Sequence, residues 1–568
     1  MMAIAPETPA GLRGRTLAAV AILFCAVSYS RLHYWDEYFY LYSVWQHAVP
    51  DLIAMEAALA DGLFPHGFFS GKLGFVVLLD ALVAMSGPGG SALAWLRVSF
   101  CAIVLALGIS MWLLARELAG ASAGGRIAIV ALFLPVPVYL GFKVLSEAPA
   151  LLMATLGGWQ LVVGLRAHGS GRWWHHVLAG AALACAVLTR FTAIWFFAGL
   201  VTALAVWRPP HVTFRRLLQD VLLVAALQAA LAAAVVLPVL GWPAERFAGL
   251  VESVTSRQPD PLVVGYGLAM TVQMFALPGA LALRPPLQPS TRAALVWVAV
   301  AFLPMLLTSR YLEPRYFYTA TLPLAILVST GLDRVAGAFG TPLKKGPDGK
   351  WAMGHGKTGA FAHLPLPICH SGCVFEHPVR PDRRHLVWIG AFLLAVAINR
   401  VVFAPIMLYE IREDRYAALV ADLGSARPSG TFVTPWLSDF CYLSFAFPSE
   451  RIALGMTETY GTGQVFASPE FRRWMGPYPY AGDLDDLERL PQPWWYVGWD
   501  YSPTVRAIDR RLRLAGLRYL DDPARRARLL DHLTPSWIWS SNELRLEPVV
   551  SEGQYRAFEI RRVDGHGR

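Results

Sequence analysis

Long apolar runs alternate with short polar connections over roughly the first 400 residues of the chain. Because a helix rises about 1.5 Å per residue, about 20 apolar residues cross the hydrocarbon core of a bilayer. Ten runs reach or approach this length, and one of them is long enough for two helices with a break near "LTRFT". The pattern predicts a polytopic α-helical membrane protein with about eleven spans, over the runs 16–30, 93–115, 127–142, 148–165, 177–207, 217–240, 262–283, 293–308, 316–332 and 386–404.

The composition agrees with this pattern. Hydrophobic residues make up 55% of the 568 residues and charged residues only 16%, whereas soluble domains carry about 25% charged residues. The net charge of +9 lies largely in connections between spans, where basic residues orient a membrane protein. Since no nucleic-acid-binding motif accompanies it, we expect membrane lipids and not nucleic acid as partners.

The basic connections predict the orientation of the chain. Arg13 and Arg15 place the N-terminus in the cytoplasm, and the other basic connections must then fall on the same side. All basic connections fall on the cytoplasmic side only if the short run 73–86, which carries Asp80, does not span the membrane. We expect it instead to dip into the outer leaflet. The cytoplasmic side then receives the loop at about 334–385, together with Arg116/Arg126, Arg166/Arg172, Arg208/Arg215/Arg216 and Arg284/Arg292.

Residues 406–568 change character, because they are charged and aromatic and contain no further span. Three segments, "TFVT", "PWWYVGWDY" and "YRAFEIRRV", are typical of short strands. Two segments that open with Ser-Pro and Asp-Pro, 502–517 and 522–533, are typical of helices. We therefore expect a membrane domain over 1–405 and an extracytoplasmic α/β domain over 406–568.

Adjacent carboxylates follow the first apolar run. Asp36 and Glu37 lie within "HYWDEYFY" (33–40), and Glu147 lies within "SEAP" at the start of a later run. The orientation places all three on the outer face. Trp and Tyr are common at a membrane boundary, but carboxylates there are costly and indicate a functional site.

Basic side chains accompany these carboxylates on the outer face. Lysine occurs at six positions, four of which lie in the cytoplasmic loop. An Arg fork and a Lys point charge both suit phosphate, so the set suits an anionic substrate. The outer-face cations are Lys72, Lys143, Arg190, Arg310 and Arg315.

The order and sidedness of these motifs resemble those of the C-type glycosyltransferase (GT-C) superfamily. The carrying features are an acidic residue after the first span, "SEAP", "LTRF" between two spans, and "EPRYFYTATLP". The protein O-mannosyltransferases and the lipid A aminoarabinose transferases are the most similar groups. The resemblance covers roughly 15–335 and implies an integral membrane enzyme that takes a sugar from a polyprenyl-phosphate donor on the non-cytoplasmic face.

The resemblance implies roles for the acidic residues. Asp36 takes the place of the catalytic aspartate, which would remove a proton from the acceptor, and Glu147 matches the second acidic position. Glu37 stays open as an alternative base. Attack opposite the phosphate would invert the anomeric carbon. Because family members differ, a divalent cation between Asp36 and Glu147 also stays open, and no metal ligand is assigned.

The resemblance also implies substrate contacts. Lys72 corresponds weakly to an "EKPPLYYW" segment, because "SGKLGF" lacks its Glu and prolines. Arg190 stands where relatives have Lys, and Arg315 with Tyr316 matches an "RY" pair. The remaining substrate-binding candidates on the outer face are Lys143, Arg310, Glu313 and His66.

Other interpretations stay open. A transporter or flippase for a lipid-linked or anionic solute would place its charges at the bilayer midplane in broken helices, and an envelope assembly protein would need no chemistry. The cysteine and histidine residues of "CHSGCVFEH" (369–377) have weak zinc-site spacing. We expect the inner membrane of a bacterium, with a polyprenyl-phosphate-linked sugar as donor and a lipid, glycan or protein as acceptor.

Overall fold

A computed structural model gives the fold of the chain. It describes residues 10–29, 32–59, 68–167, 169, 171–208, 212–240, 273–308, 314–340, 344–345, 351–352, 383–402, 410–426, 430–434, 437–455, 468–482, 484–499, 513, 521, 544–552 and 555–562.

Helices dominate the predicted membrane domain. They are α1 (Ala10–Ser28), α2 (Trp35–Gln46), α3 (Val49–Leu59), α4 (Leu73–Ser86), α5 (Gly90–Ala119), α6 (Ala121–Phe133), α7 (Pro135–Leu140), α8 (Glu147–Arg166), α9 (Gly171–Thr189), α10 (Ile194–Val206), α11 (Phe214–Leu240), α12 (Ala276–Leu281), α13 (Pro289–Thr308), α14 (Thr321–Gly340) and α15 (Arg383–Val402). Short 3₁₀ turns lie at Ser70–Lys72, Phe191–Ala193, Gln273–Phe275 and Pro314–Ala320.

Three helices in the described part of the chain are long and apolar enough to cross a membrane: Gly90–Ala119, Glu147–Arg166 and Phe214–Val239. Five shorter apolar helices accompany them, at Thr16–Ser28, Ala123–Phe133, Phe191–Val206, Pro289–Phe302 and Arg384–Asn399. The break in the run 177–207 is confirmed, because α9 ends at Thr189 and α10 begins at Ile194. The helical membrane-type fold is therefore confirmed, while the total of eleven spans stays a prediction.

Helix α4 has 14 residues, a length of about 21 Å against about 30 Å of hydrocarbon. It is not shorter than α6 and α10, which have 13 residues each, so the prediction that 73–86 does not span stays a prediction. Its first turn packs closely on the end of α9, because a Cβ at Gly74 would lie 3.1 Å from the backbone nitrogen of Thr189. This close approach brings the turn that carries Lys72 next to Arg190.

The C-terminal part contains a five-stranded sheet with helices against it. Its strands are β5 (Thr431–Thr434), β6 (Ile452–Leu454), β7 (Trp494–Trp499), β8 (Leu544–Glu552) and β9 (Tyr555–Arg562), in the order β6-β5-β7-β9-β8. Strand β5 is parallel to both neighbours, and β9 is antiparallel to both of its own. The three segments predicted as strands are thus β5, β7 and β9. The segments predicted as helices, 502–517 and 522–533, lie outside the described residues except for Arg513.

Smaller elements join the two parts. The remaining pieces are β1 (Leu32–Tyr34), β2 (Lys344–Lys345), β3 (Trp351–Ala352), β4 (Glu410–Arg412), α16 (Glu413–Ala426), α17 (Leu437–Ala446), α18 (Pro469–Met475) and α19 (Leu484–Glu488). One apolar core lies among the long helices. A second core joins α2, α3, α4 and the start of α5 to helices α16, α17 and α18 and to the sheet.

Candidate functional site

Asp36 and Glu37 open helix α2 but face different surroundings. The Nη2 atom of Arg315 donates to Asp36 Oδ2 at 2.9 Å. Glu37 is fully buried, accepts the backbone N–H of Val144 at 3.1 Å, and lies 3.8 Å from Arg97 Nη2. Since successive helical residues point about 100° apart, Asp36 faces the basic side chains of the site while Glu37 ties α2 to the fold.

Glu147 begins α8 and is also fully buried. Its Oε1 atom is 3.0 Å from Arg190 Nη1 and 3.7 Å from Arg315 Nε. Ser146 donates to the same carboxylate at 3.4 Å and accepts from Arg190 at 2.9 Å. A carboxylate at a helix N-terminus is also favoured by the helix dipole. Glu147 therefore fixes both guanidinium groups next to Asp36.

Lys72 lies against aromatic rings on the same side of the site. Its ammonium donates to the Tyr40 hydroxyl and lies 4.7 Å and 4.9 Å from the ring centroids of Tyr40 and Phe68. Although the residue keeps some exposed surface, burial of its ammonium together with repulsion from Arg190 lowers the pKa of Lys72 to about 7. Its charge near neutral pH will therefore respond to an arriving anion.

A buried carboxylate holds the turn that carries Lys72. Glu56 in α3 is buried and accepts the backbone N–H of Ser70 at 2.8 Å. Tyr40 in turn donates to the Phe68 carbonyl at 3.3 Å and stacks on the Phe68 ring. These contacts restrict the position of Lys72 before any ligand binds.

Positive charge exceeds negative charge in this group of side chains. Three cations face two carboxylates, and five separate segments of the chain supply them. Buried charges are stabilised by groups of opposite sign, and a set of three basic side chains suits an anionic ligand such as a phosphate. A carboxylate next to that anion is placed to accept a proton. The group, here called the acidic–basic cluster, consists of Asp36, Lys72, Glu147, Arg190 and Arg315.

The geometry bears on a divalent cation. Arg315 is within ion-pair distance of both Asp36 and Glu147, so a metal ion between them would have to displace a guanidinium group. Among the described residues, no three His, Cys, Asp or Glu side chains are arranged to hold a metal ion. The donor set as arranged does not fit a divalent ion.

Of the remaining candidates, Lys143 has a described side chain. Lys143 is buried and lies over the Tyr139 ring at 4.4 Å from its centroid. Tyr316 lies in the 3₁₀ turn beside Arg315, but its side chain is outside the described residues. His66, Arg310, Glu313 and the loop segment 369–377 are also outside them.

Sequence reasoning missed three residues of the site. Tyr40 follows Asp36 by four positions, so helical spacing alone puts it on the same face. Arg97 lies in the apolar helix α5, and an ionisable residue there already indicates function. Its Nη2 atom donates to the Tyr38 hydroxyl at 3.4 Å. Glu56 carries no comparable signal in the sequence.

Comparison with solved structures identifies the fold. ArnT from Cupriavidus metallidurans, in crystal structures bound to undecaprenyl phosphate and in the apo state, matches over 97% of this chain and 98% of its own, with a TM-score of 0.51 and 15% identity. An apo oligosaccharyltransferase from Archaeoglobus fulgidus matches 86% of this chain and 70% of its own at 13% identity, but its TM-score of 0.42 carries no weight. No protein-family profile and no curated protein sequence matches.

The structural similarity reaches further than the resemblance seen in the sequence. The sequence motifs cover roughly 15–335, whereas the match to ArnT covers nearly the whole chain and therefore includes its C-terminal part. The chain therefore shares its fold with ArnT, in agreement with the resemblance of its motifs to the lipid A aminoarabinose transferases.

Proposed function

We propose that the chain is a membrane glycosyltransferase that moves a sugar from a polyprenyl-phosphate donor to an acceptor hydroxyl or phosphate. The acidic–basic cluster is the observation that carries this proposal, because it sets the carboxylate of Asp36 beside Arg315 at 2.9 Å. The fold supports it, since ArnT has been crystallised with undecaprenyl phosphate.

The donor phosphate is held by the cations of the cluster. Arg315 and Arg190 are already fixed by Glu147 at 3.7 Å and 3.0 Å, so little reorganisation is needed when the anion arrives. Such preorganised charge in a water-poor site stabilises the negative charge that develops on a leaving group. Lys72 adds a further positive charge as the phosphate raises its pKa.

Asp36 acts as the general base. Its carboxylate takes the proton of the acceptor O–H, and the acceptor oxygen forms a bond to the anomeric carbon. The bond from that carbon to the donor phosphate breaks, and its electron pair leaves with the polyprenyl phosphate. Attack from the face opposite the phosphate inverts the anomeric carbon.

Glu37 supports the base without touching the substrate. It is buried against the Val144 backbone and Arg97, so it fixes the start of α2 and the segment before α8. Glu147 acts through the two arginines that it orients. The arrangement favours Asp36 over Glu37 as the base, a choice that the sequence leaves open.

The active site faces the extracytoplasmic side of a bacterial inner membrane. This orientation rests on the basic connections and on about eleven spans, and it places residues 406–568 outside. A thiol reagent that does not cross membranes should label Arg489→Cys, whose native side chain is 74% exposed, in intact cells of a cysteine-free variant. It should not label Lys350→Cys. The reverse pattern would overturn the orientation.

The direct test uses purified protein in detergent with a polyprenyl-phosphate-linked sugar. A glycosyltransferase releases polyprenyl phosphate and transfers the sugar to an acceptor. A transporter or flippase binds the lipid without breaking its bond, and an assembly protein does neither. Donor that binds but stays intact with every acceptor class would remove the enzymatic proposal and favour the transporter.

A further inference from the structure

Helix α2 presents opposite sides to two parts of the molecule. Taking Asp36 as zero and about 100° per residue, Tyr40 lies at about 40°, on the side of the acidic–basic cluster. On the same count, Tyr38, Tyr42 and Trp45 lie at about 200°, 240° and 180°. In its first turns the helix therefore has a site face and an aromatic face, whereas Ser43, at about 340° on this count, lies two turns beyond Asp36 and contacts α18 there.

The aromatic face packs on α17. The ring centroids of Tyr38 and Tyr442 are 5.0 Å apart, and those of Tyr42 and Phe440 are 5.2 Å apart. Edge-to-face aromatic pairs of this kind stabilise the packing of two elements beyond the apolar area that they bury. Helix α17 belongs to the C-terminal sheet domain (residues 430–562), so this domain and α2 share one core.

The last turns of α2 are hydrogen-bonded to the same domain. The indole N–H of Trp474 in α18 donates to the Ser43 hydroxyl at 3.1 Å, and both groups are buried. A ring nitrogen of His47 lies 2.6 Å from the Trp474 carbonyl oxygen. The Tyr42 hydroxyl donates to the backbone carbonyl of Met475. Residues more than 400 positions apart thus fix the end of α2.

The start of α2 is held as well. Strand β1 pairs antiparallel with β4, with Leu32 opposite Arg412 and Tyr34 opposite Glu410. Only Trp35 separates β1 from Asp36. A helix of 12 residues is marginal without tertiary contacts, so these contacts at both ends determine where Asp36 points.

We propose that the C-terminal sheet domain positions the base, with Trp474 as a positioning residue that acts through Ser43. This role rests on the function proposed above. Misplacing a reacting group by about 1 Å costs up to about 10²-fold in rate. A loosened α2 therefore lowers turnover while Arg190 and Arg315, which Glu147 holds on other segments, keep their place.

The test compares two buried tryptophans of the same domain. Trp474→Phe removes the indole donor to Ser43, and Ser43→Ala removes its acceptor. Trp494→Phe is the matched control, because Trp494 is buried and donates to the Leu490 carbonyl at 3.0 Å within the sheet domain. Turnover of the polyprenyl-phosphate sugar and binding of undecaprenyl phosphate are measured for each variant.

We expect about tenfold lower turnover for Trp474→Phe and Ser43→Ala, within the range for a misplaced group, with undecaprenyl phosphate binding unchanged. Trp494→Phe should keep turnover. Combined with Asp36→Asn, Trp474→Phe should lower the residual rate no further, because the group that it positions is gone. A purely structural role would instead lower donor binding and turnover together and would add to the Asp36→Asn effect.

Three results would overturn the positioning role in an active enzyme: unchanged turnover in both Trp474→Phe and Ser43→Ala, an equal loss in Trp494→Phe, or full additivity with Asp36→Asn. If Trp474→Phe does not fold, the turnover of Ser43→Ala tests the positioning role, because this substitution removes a single oxygen atom and disturbs the core least. Failure of the proposed function is seen separately, as wild-type protein that binds donor without releasing polyprenyl phosphate, and it would remove this role too.

Discussion

Two buried ionic clusters lie at opposite ends of helix α8. Glu147 at its first residue belongs to the acidic–basic cluster. Near its last residue, Arg216 donates to the Ala167 carbonyl at 2.8 Å and lies 4.0 Å from Asp220. Twenty residues of helix, about 30 Å, separate the two.

The clusters differ in how the chain supplies them. Asp220 is buried under Arg172, His176 and Arg216, which come only from α9 and α11. Arg172 and His176 are four residues apart on α9, and Arg216 and Asp220 are four residues apart on α11. The Asp220 cluster therefore holds two neighbouring helices together. The acidic–basic cluster instead gathers side chains from five segments, mostly at helix ends and turns. Bringing charges together from five segments costs desolvation free energy, so the acidic–basic cluster indicates a function. The Asp220 cluster needs no function beyond holding α9 against α11.

The largest expected effect is the loss of the base. Asp36→Asn keeps the shape of the side chain but removes the proton acceptor, so turnover should fall by about 10²–10⁴-fold, the usual contribution of general-base catalysis. Donor binding, measured by equilibrium titration, should persist because the cations remain.

Asp220→Asn is the matched control from the other end of α8. Breaking a buried ion pair costs about 3–5 kcal/mol, and less here because Arg172 is partly exposed. The apparent Tm should fall while turnover per folded molecule stays near the wild-type value. A large loss of turnover with unchanged Tm would show that the Asp220 cluster has a role in the reaction and is not only structural.

Arg315→Ala should have the next largest effect, which is a loss of donor binding. A charged hydrogen bond contributes about 1.5–3 kcal/mol, which corresponds to about 10–10²-fold in Kd. Arg216→Ala, from the Asp220 cluster, should leave donor Kd unchanged. Equal donor affinity in wild type and Arg315→Ala would remove Arg315 from the phosphate site.

Glu37→Gln should have a smaller effect than Asp36→Asn. The amide oxygen still accepts the Val144 N–H, but the charge opposite Arg97 is lost, so we expect a lower Tm and a loss of turnover below about tenfold. If Glu37→Gln abolishes turnover while Asp36→Asn retains it, the base has been assigned to the wrong neighbour.

The smallest effect concerns pH. Lys72 has a pKa of about 7 in the free protein, and a bound phosphate favours its charged form. Donor affinity should therefore be constant below pH 7 and fall above it, by up to about tenfold per pH unit. Calorimetry in buffers of different ionisation enthalpy should detect proton uptake at pH 8.

Lys72→Arg is the control for the pH effect, because arginine stays charged throughout this range. Its donor affinity should not vary between pH 7 and 9. A decline as steep as that of the wild type would assign the titration to another group.

Local features of the chain were predictable because they depend on neighbours in sequence. The break at Arg190 follows from a run too long for one helix, and β7 and β9 follow from aromatic and β-branched segments. The order of the motifs also indicated that Asp36, Glu147, Arg190 and Arg315 would meet, and the structure places them together.

The rest depends on contacts between distant parts of the chain. Nothing near Asp36 or Glu37 in the sequence tells which of them faces Arg315, because that depends on how α2 docks. The bond between Trp474 and Ser43 spans 431 positions. The sequence around Glu56 does not distinguish it from other helical glutamates, because its role depends on the contact with the Ser70 backbone.

The stereochemistry of the product tests the central claim, that Asp36 is a general base in a single displacement, most directly. The anomeric configuration of the transferred sugar, read by NMR against that of the donor, should be inverted. Retention would contradict the account, because it requires a double displacement with a covalent glycosyl-enzyme intermediate. A carboxylate such as Asp36 would then be the nucleophile and not the base.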